Sequence, residues 1–232
     1  MTAISPSSTL AELVIARPAR TRLFEQLRLD YCCGGSRTLA EACAQRELDP
    51  STVATLIAAL DAEPGDRDDA HDVTRASVGD LCDHIVAAHH GALRRDLPLI
   101  SDLVATVVRV HGVQRPELRD LQRVFTTMRV SLEQHMVVEE ETLFPACRAT
   151  AAGVLRGVDE ELLGQHEADH DEVGESLVAL RELSGGYSAK RALCGTHRAL
   201  LESLRELELD LHQHVHEENN ILFPRVRAAA VR

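Results

Sequence analysis

The stretch HMVVEEETLFP at residues 135–145 is nearly rewritten as HVHEENNILFP at residues 214–224. Each copy has a His, a Glu four residues on, and Phe-Pro nine and ten residues on. On an α-helix, residues four apart share a face, with Cβ atoms about 5–6 Å apart. His135 and Glu139 therefore point one way on their helix, and His214 and Glu218 do the same on theirs. A chain that repeats this phrase has to supply two helices in matching register.

The surrounding pattern supplies them. From Ser77 the sequence predicts four long helices. The first runs over about 77–111, with Pro98 as a kink site. The second runs from Pro116 to about Leu143, the third over Asp159–Leu183, stopped by Gly185-Gly186, and the fourth from near Ser188 to about Ile221. Shortish connections make this an up-down-up-down four-helix bundle spanning 77–232. Residues 1–63 predict a small helical domain. In it STLAELVIARP carries a Ser cap, PARTRLFEQL follows, and DYCCGGS turns the chain. Ser36 caps RTLAEACAQR, and DPSTVATLIAALDAE closes the block. PGDRDDAHDVTRA at 64–76 reads as a polar interdomain linker. With 44% hydrophobic residues but only 3% aromatics and no Trp, the core has to be Leu, Val, Ala and Ile, which suits packed helices. The expected class is all-α.

Charge narrows the function classes. The balance of 25 basic to 37 acidic residues, −12 net, argues against nucleic-acid binding and against an anionic membrane surface. There is no apolar run of transmembrane length. The N-terminal stretch, broken by Glu12 and Arg17, does not make a signal peptide, so a cytoplasmic location is expected. Cys43, Cys82, Cys147 and Cys194 read as small hydrophobes on helix faces rather than disulfide partners.

In an up-down-up-down bundle the second and fourth helices run parallel, so the two His–Glu pairs lie at similar depth and can face each other. The first helix offers His84, His89 and His90, and the third His166 and His170. One imidazole from each would complete a set of four imidazoles and two carboxylates. Such a set suits iron or manganese better than structural zinc, and carboxylates between paired metals would bridge them. The Phe of each phrase is expected to fill the bundle end and the Pro to break the helix. Glu140 and Glu217 are expected to be surface carboxylates.

Residues 77–232 resemble a hemerythrin-like domain. Residues 8–63, with LDYCCGG and TLAEAC, resemble the small N-terminal domain of the iron–sulfur cluster repair di-iron proteins. The resemblance implies two Fe ions per chain with an oxo or hydroxo bridge. It implies ligation by His135 and Glu139, by His214 and Glu218 within HEENNILFP, by His170 within DHDEVGE, and by His90 at the end of DHIVAAHH. It implies repair of iron–sulfur clusters damaged by oxidative or nitrosative stress through donation of labile iron, with damaged iron–sulfur proteins as partners. Binding or sensing of O2 or nitric oxide is the alternative, and nitric oxide reduction a third reading. His166, four residues before His170, follows the His-x-x-x-His pattern of true hemerythrins and is a candidate extra ligand. His89 lies about 100° from His90 in α-helical phase and is expected to be solvated. His84 is expected to pack or face the surface, and His212 and His216 to face away from His214.

Cys32 and Cys33 precede Gly34-Gly35-Ser36 and a helix start, a setting that favours thiolate. Adjacent cysteines close only a strained disulfide. A redox switch, a metal hand-off, pairing across a homodimer, and simple packing beside the turn are all open to them. The resemblance weights the pair toward function.

Overall fold

The computed structural model describes residues 4–62, 73–154 and 157–230. The chain divides into two compact units. One runs through Ser77 and also takes in Val215–Pro224. The other comprises Val78–His214 and the chain from Arg225 onward. Most of the expected linker, residues 64–72, lies outside the described residues.

In the first unit, α1 (Leu10–Ala16), α2 (Thr21–Leu27), α3 (Leu39–Gln45) and α4 (Pro50–Ala62) close over Leu10, Val14, Phe24, Tyr31, Leu39, Cys43, Val53 and Ile57. The caps are Thr9 and Thr38, not the serines expected. A capping box needs its Glu three residues after the cap, and Glu12 and Glu41 select the threonines. Thr9 Oγ1 accepts from Glu12 N at 3.1 Å, and Thr38 Oγ1 from Glu41 N at 3.2 Å, with both Glu side chains reaching back. Leu10 N donates to Arg37 O at 3.0 Å and Leu39 N to Ser8 O at 2.8 Å, pinning the two helix starts together. Buried Arg20 reaches Asp61 on α4 and holds that carboxyl below its ordinary value.

The long helical runs form the up-down-up-down bundle, the last of them passing through Val215–Pro224 of the first unit. The first run is α5 (Val78–Ile85), a π-helical turn (Val86–His90) and α6 (Gly91–His111). The second is α7 (Glu117–Val138), a π turn (Glu139–Leu143) and α8 (Phe144–Ala151). The third is α9 (Glu160–Ser184), capped by Asp159 and stopped by Gly185 at φ 70°. The fourth is α10 (Gly195–Glu217), a π turn (Glu218–Leu222) and α11 (Phe223–Ala230). It begins at Gly195 rather than Ser188, because residues 189–191 form a separate 3₁₀ turn and Ala192 is extended. Leu97, Val104, Phe125, Leu132, Leu177 and Leu204 lie in one apolar core. Toward one end, Glu208 is buried against Arg181, at 2.9 Å from its Nε, and the Tyr187 hydroxyl at 2.6 Å.

The Phe-Pro pairs do not break their helices; each helix runs on for a further segment. A Pro inside a helix lacks an N–H and crowds the carbonyl four residues back. Here the turn before each Pro has widened: Phe144 N donates to Glu139 O and Phe223 N to Glu218 O, five residues back. The π turn absorbs the proline and inserts one residue of extra phase. Phe144 and Phe223 are buried, as expected.

Candidate metal centre

All three π turns carry the expected site residues. His90 closes the first, Glu139 opens the second and Glu218 opens the third. Glu139 is fully buried at the end of α7. Its Oε1 lies 3.0 Å from His135 Nε2 and 4.0 Å from His166 Nδ1, and its Oε2 lies 3.2 Å from His90 Nε2. His135 Nε2 in turn lies 3.1 Å from His170 Nε2 on α9. The rings of His90 and His214 are 5.1 Å apart. Glu218, one turn on from His214 in the same helical run, is also fully buried. Ligand atoms of His90, Glu139, His214 and Glu218 fall within 4.8 Å of one another, and so do those of His135, Glu139, His170 and Glu218. The two groups share both carboxylates.

This donor set fits a pair of cations. A carboxylate taken fully out of water is costly unless charge is supplied nearby. The imidazoles cannot all supply it as imidazolium. At 3.1 Å, at most one of the facing nitrogens of His135 and His170 carries a hydrogen. Cations between neutral imidazole nitrogens and carboxylate oxygens satisfy both kinds of donor. His166 is buried with its ring 4.6 Å from that of His135, beside the second group but outside it.

The layer around these residues departs from the sequence reading. His89 is buried, not solvated: its Nδ1 is 2.9 Å from Asp210 Oδ1 and its ring stacks on His214 at 5.1 Å. The π turn brings adjacent His89 and His90 both inward, which the 100° step of an α-helix would not do. His84 is half-buried, edge-on to His89. Glu140 is not a free surface carboxylate. Its Oε1 sits 2.6 Å from His90 Nδ1 and accepts from Arg94 Nη2 at 2.7 Å. Burial pushes its carboxyl up, but the hydrogen bonds from His90 and Arg94 outweigh that and leave it below its ordinary value. Glu217 is buried as well. His135 Nδ1 faces Asp169 Oδ2 at 3.4 Å. Phe144 stacks on His90 at 5.8 Å. His212 is half-buried, and His216 is buried in contact with the first unit's own turn, described below.

Residues 82–226, which hold every residue named in the two groups, match the hemerythrin HHE cation-binding domain family. Over 94% of its length the chain is 34% identical to the iron–sulfur cluster repair protein YtfE of Pectobacterium atrosepticum, covering 95% of that protein. The chain belongs to the YtfE family of hemerythrin-domain proteins. Proteins of the same name from Escherichia coli O81 and Escherichia fergusonii are each 32% identical over 94% of this chain and 96% of their own. Residues 6–61 match the ScdA_N domain, a domain of unknown function. No helix among the described residues is long and apolar enough to cross a membrane.

The Cys-Cys-Gly-Gly turn of this YtfE-family chain sits within the first unit. Asp30 organises it, accepting from Cys33 N at 3.1 Å, Gly34 N at 2.9 Å and the Cys32 thiol at 3.2 Å. The expected thiolate character does not hold for Cys32. The hydrogen bond to Cys33, burial and the Asp30 carboxylate all push its thiol up. The helix start expected to stabilise a thiolate is at Leu39, seven residues after Cys32. Asn220, in the π turn that Glu218 opens, donates to Cys32 O at 2.9 Å and Tyr31 O at 3.3 Å. His216 Nδ1 donates to Tyr31 O at 3.2 Å. Gly35 permits this approach: a Cβ there would fall 2.7 Å from Tyr31 O and against the Asn220 amide. Of the other four cysteines, Cys43, Cys82 and Cys147 are buried, as expected. Cys194 is exposed, with its Sγ 3.3 Å from His111 Nε2, so it is no core hydrophobe.

Proposed function

We propose that this chain is a di-iron protein that repairs iron–sulfur clusters damaged by oxidative or nitrosative stress, donating labile iron to damaged iron–sulfur proteins in the cytoplasm. The observation that carries the reading is the sharing of Glu139 and Glu218 between two imidazole pairs. His90 and His214 would hold one Fe, His135 and His170 the other, and the carboxylates would bridge them. The relatives' name, iron–sulfur cluster repair protein, supports the task. The iron is cargo. On reduction by an external donor, Fe(III) becomes Fe(II), the attraction of the two buried carboxylates weakens, and the ion becomes easier to surrender. The Cys32–Cys33 turn lies on the segment carrying Glu218, which supports a role for the pair in redox contact or hand-off.

The experiment is anaerobic loading followed by iron counting and Mössbauer spectroscopy, then reactivation of an iron–sulfur enzyme inactivated by peroxide or nitric oxide. Two irons per chain with the spectrum of a bridged pair, and recovery that depends on them, are expected. One zinc per chain after iron-replete expression, or no recovery, would overturn the reading.

A second reading, O2 or nitric oxide binding, is favoured by His166. Its buried ring beside His135 offers a fifth imidazole, which would fill an open position as in an oxygen carrier. In that case His166→Ala should alter the spectrum as severely as His170→Ala.

A further inference from the structure

We propose that Glu140 is a positioning residue that fixes His90 as a ligand and, through Arg94, ties the retention of one metal ion to the protein surface. The inference rests on the two-metal reading above.

The two nitrogens of His90 have different surroundings. Nε2 points inward, 3.2 Å from Glu139 Oε2. Nδ1 points the other way, 2.6 Å from Glu140 Oε1. An ionised carboxylate only accepts, so Nδ1 carries the hydrogen and Nε2 presents its lone pair inward. Glu140 thereby selects the tautomer a metal needs, and the short hydrogen bond makes the imidazole a stronger donor. Phe144, its ring stacked on that of His90 at an interplanar angle of 18°, limits tilting of the ring. The π turn makes this arrangement available: Glu139 goes to the interior while Glu140 reaches the outer nitrogen of the same histidine.

The relay ends in solvent. The His90 side chain is 0% exposed, that of Glu140 27% and that of Arg94 48%. Arg94 donates to the oxygen that His90 uses, so it anchors a carboxylate that would otherwise be free to swing toward water. The matching contact on the other group is looser, with His135 Nδ1 3.4 Å from Asp169, a carboxylate that Gln165 rather than an arginine holds. The two ions should therefore differ in retention, and only the one on His90 should respond to the surface pair.

The test is release of Fe(II) from loaded full-length protein to a chromophoric chelator, followed in time, for wild type, Glu140→Gln, Glu140→Leu, Arg94→Gln and the exposed neighbour control Glu141→Gln. Helicity and the melting temperature of each metal-free protein are recorded alongside. Glu140→Leu should speed release of half of the iron by ~10–100-fold, giving two phases of equal amplitude. Glu140→Gln, which keeps an acceptor but loses the charge, should fall between it and wild type. Arg94→Gln should speed the same phase by roughly threefold and abolish its acceleration by salt, since an exposed ion pair is screened at high ionic strength. Glu141→Gln should match wild type. If Glu140→Leu does not fold, the Gln variants carry the test. If wild type never holds two irons, the two-metal reading fails and this inference with it. If wild type holds two and the Glu140 and Arg94 variants release both at the wild-type rate, this inference alone is overturned. A uniform loss of both ions together with a lowered metal-free melting temperature would also overturn it, by showing a merely structural role.

Discussion

Substituting Glu139 by Gln should make the protein more stable without iron and less stable with it. In the metal-free chain this carboxylate is fully buried among His90, His135 and His166. Among neutral imidazoles and without a cation, a carboxylate taken out of water is costly, and a neutral amide of the same volume avoids about 2 kcal/mol of that cost. At ~2–4 °C per kcal/mol for a protein of this size, that gain raises the melting temperature by roughly 4–8 °C. Iron acts in the other direction. A ligand at a hundred times its dissociation constant stabilises by about 2.7 kcal/mol per site. Glu139 belongs to both groups, so its loss forfeits about 5 kcal/mol, roughly 10–20 °C, for the pair. The stabilities of wild type and Glu139→Gln should cross between the metal-free and iron-loaded states. Calorimetry of both proteins in both states is the assay. A variant that melts lower without iron and still gains as much from iron would refute the idea that Glu139 is buried for the sake of a metal pair.

His166→Ala should keep two irons by metal analysis while lowering metal-free stability by roughly 2 kcal/mol, because a buried ring is lost from a site outside both four-residue groups. Asp61→Asn should lower stability by about 1.5–3 kcal/mol at neutral pH, through the lost hydrogen bonds from Arg20. Asp61 is held below its ordinary 3.8 by that arginine, so its contribution is present above about pH 4 and lost as pH falls through the lowered folded value. Melting curves of the two proteins should therefore converge in acid. Gly35→Ala should cost about 1–3 kcal/mol by overpacking against Tyr31 O and Asn220, and should shift the iron spectrum through the π turn that Asn220 shares with Glu218.

The four-helix class was legible because the apolar pattern runs for long stretches, and His135 and Glu139 meet because spacing by four is a local property of a helix. The environment of Glu140 and His89 was not legible under a strict α-helical phase, which sends neighbours of an inward residue outward. The π turns change that phase. A signal for them was present: each Pro stands six residues after its Glu, inside a pattern that goes on being amphipathic, and such a proline demands a defect in the ladder just before it. The neighbouring pair His89-His90 is a second signal of the same kind. The state of Cys32 is not legible for another reason. Ser36 marks a helix start only apparently, because Glu41 selects Thr38 as the cap, and the Asp30 carboxylate that accepts from the turn places negative charge beside the thiol.

The two copies of the repeated phrase also show, by where they differ, what each is for. They agree at the His, the Glu and the Leu-Phe-Pro, the positions of the clustered donors and of the widened turn. Val137 and Glu141 of the first copy correspond to His216 and Asn220 of the second. In the first copy these positions are exposed, Val137 at 47%. They lie four apart, so they share one outward face. In the second copy that face is polar and occupied: His216 and Asn220 both donate to the backbone carbonyls of the Cys-Cys-Gly-Gly turn. A helix that only held metal would have no reason to bury an imidazole on its outer face, since burial depresses its protonation and demands a partner. The partner here is Tyr31 O, one residue before the Cys pair. The second copy is thus the same His–Glu phrase with an outer face altered to hold the cysteine turn. That turn and the carboxylate Glu218 are therefore carried by one helical segment.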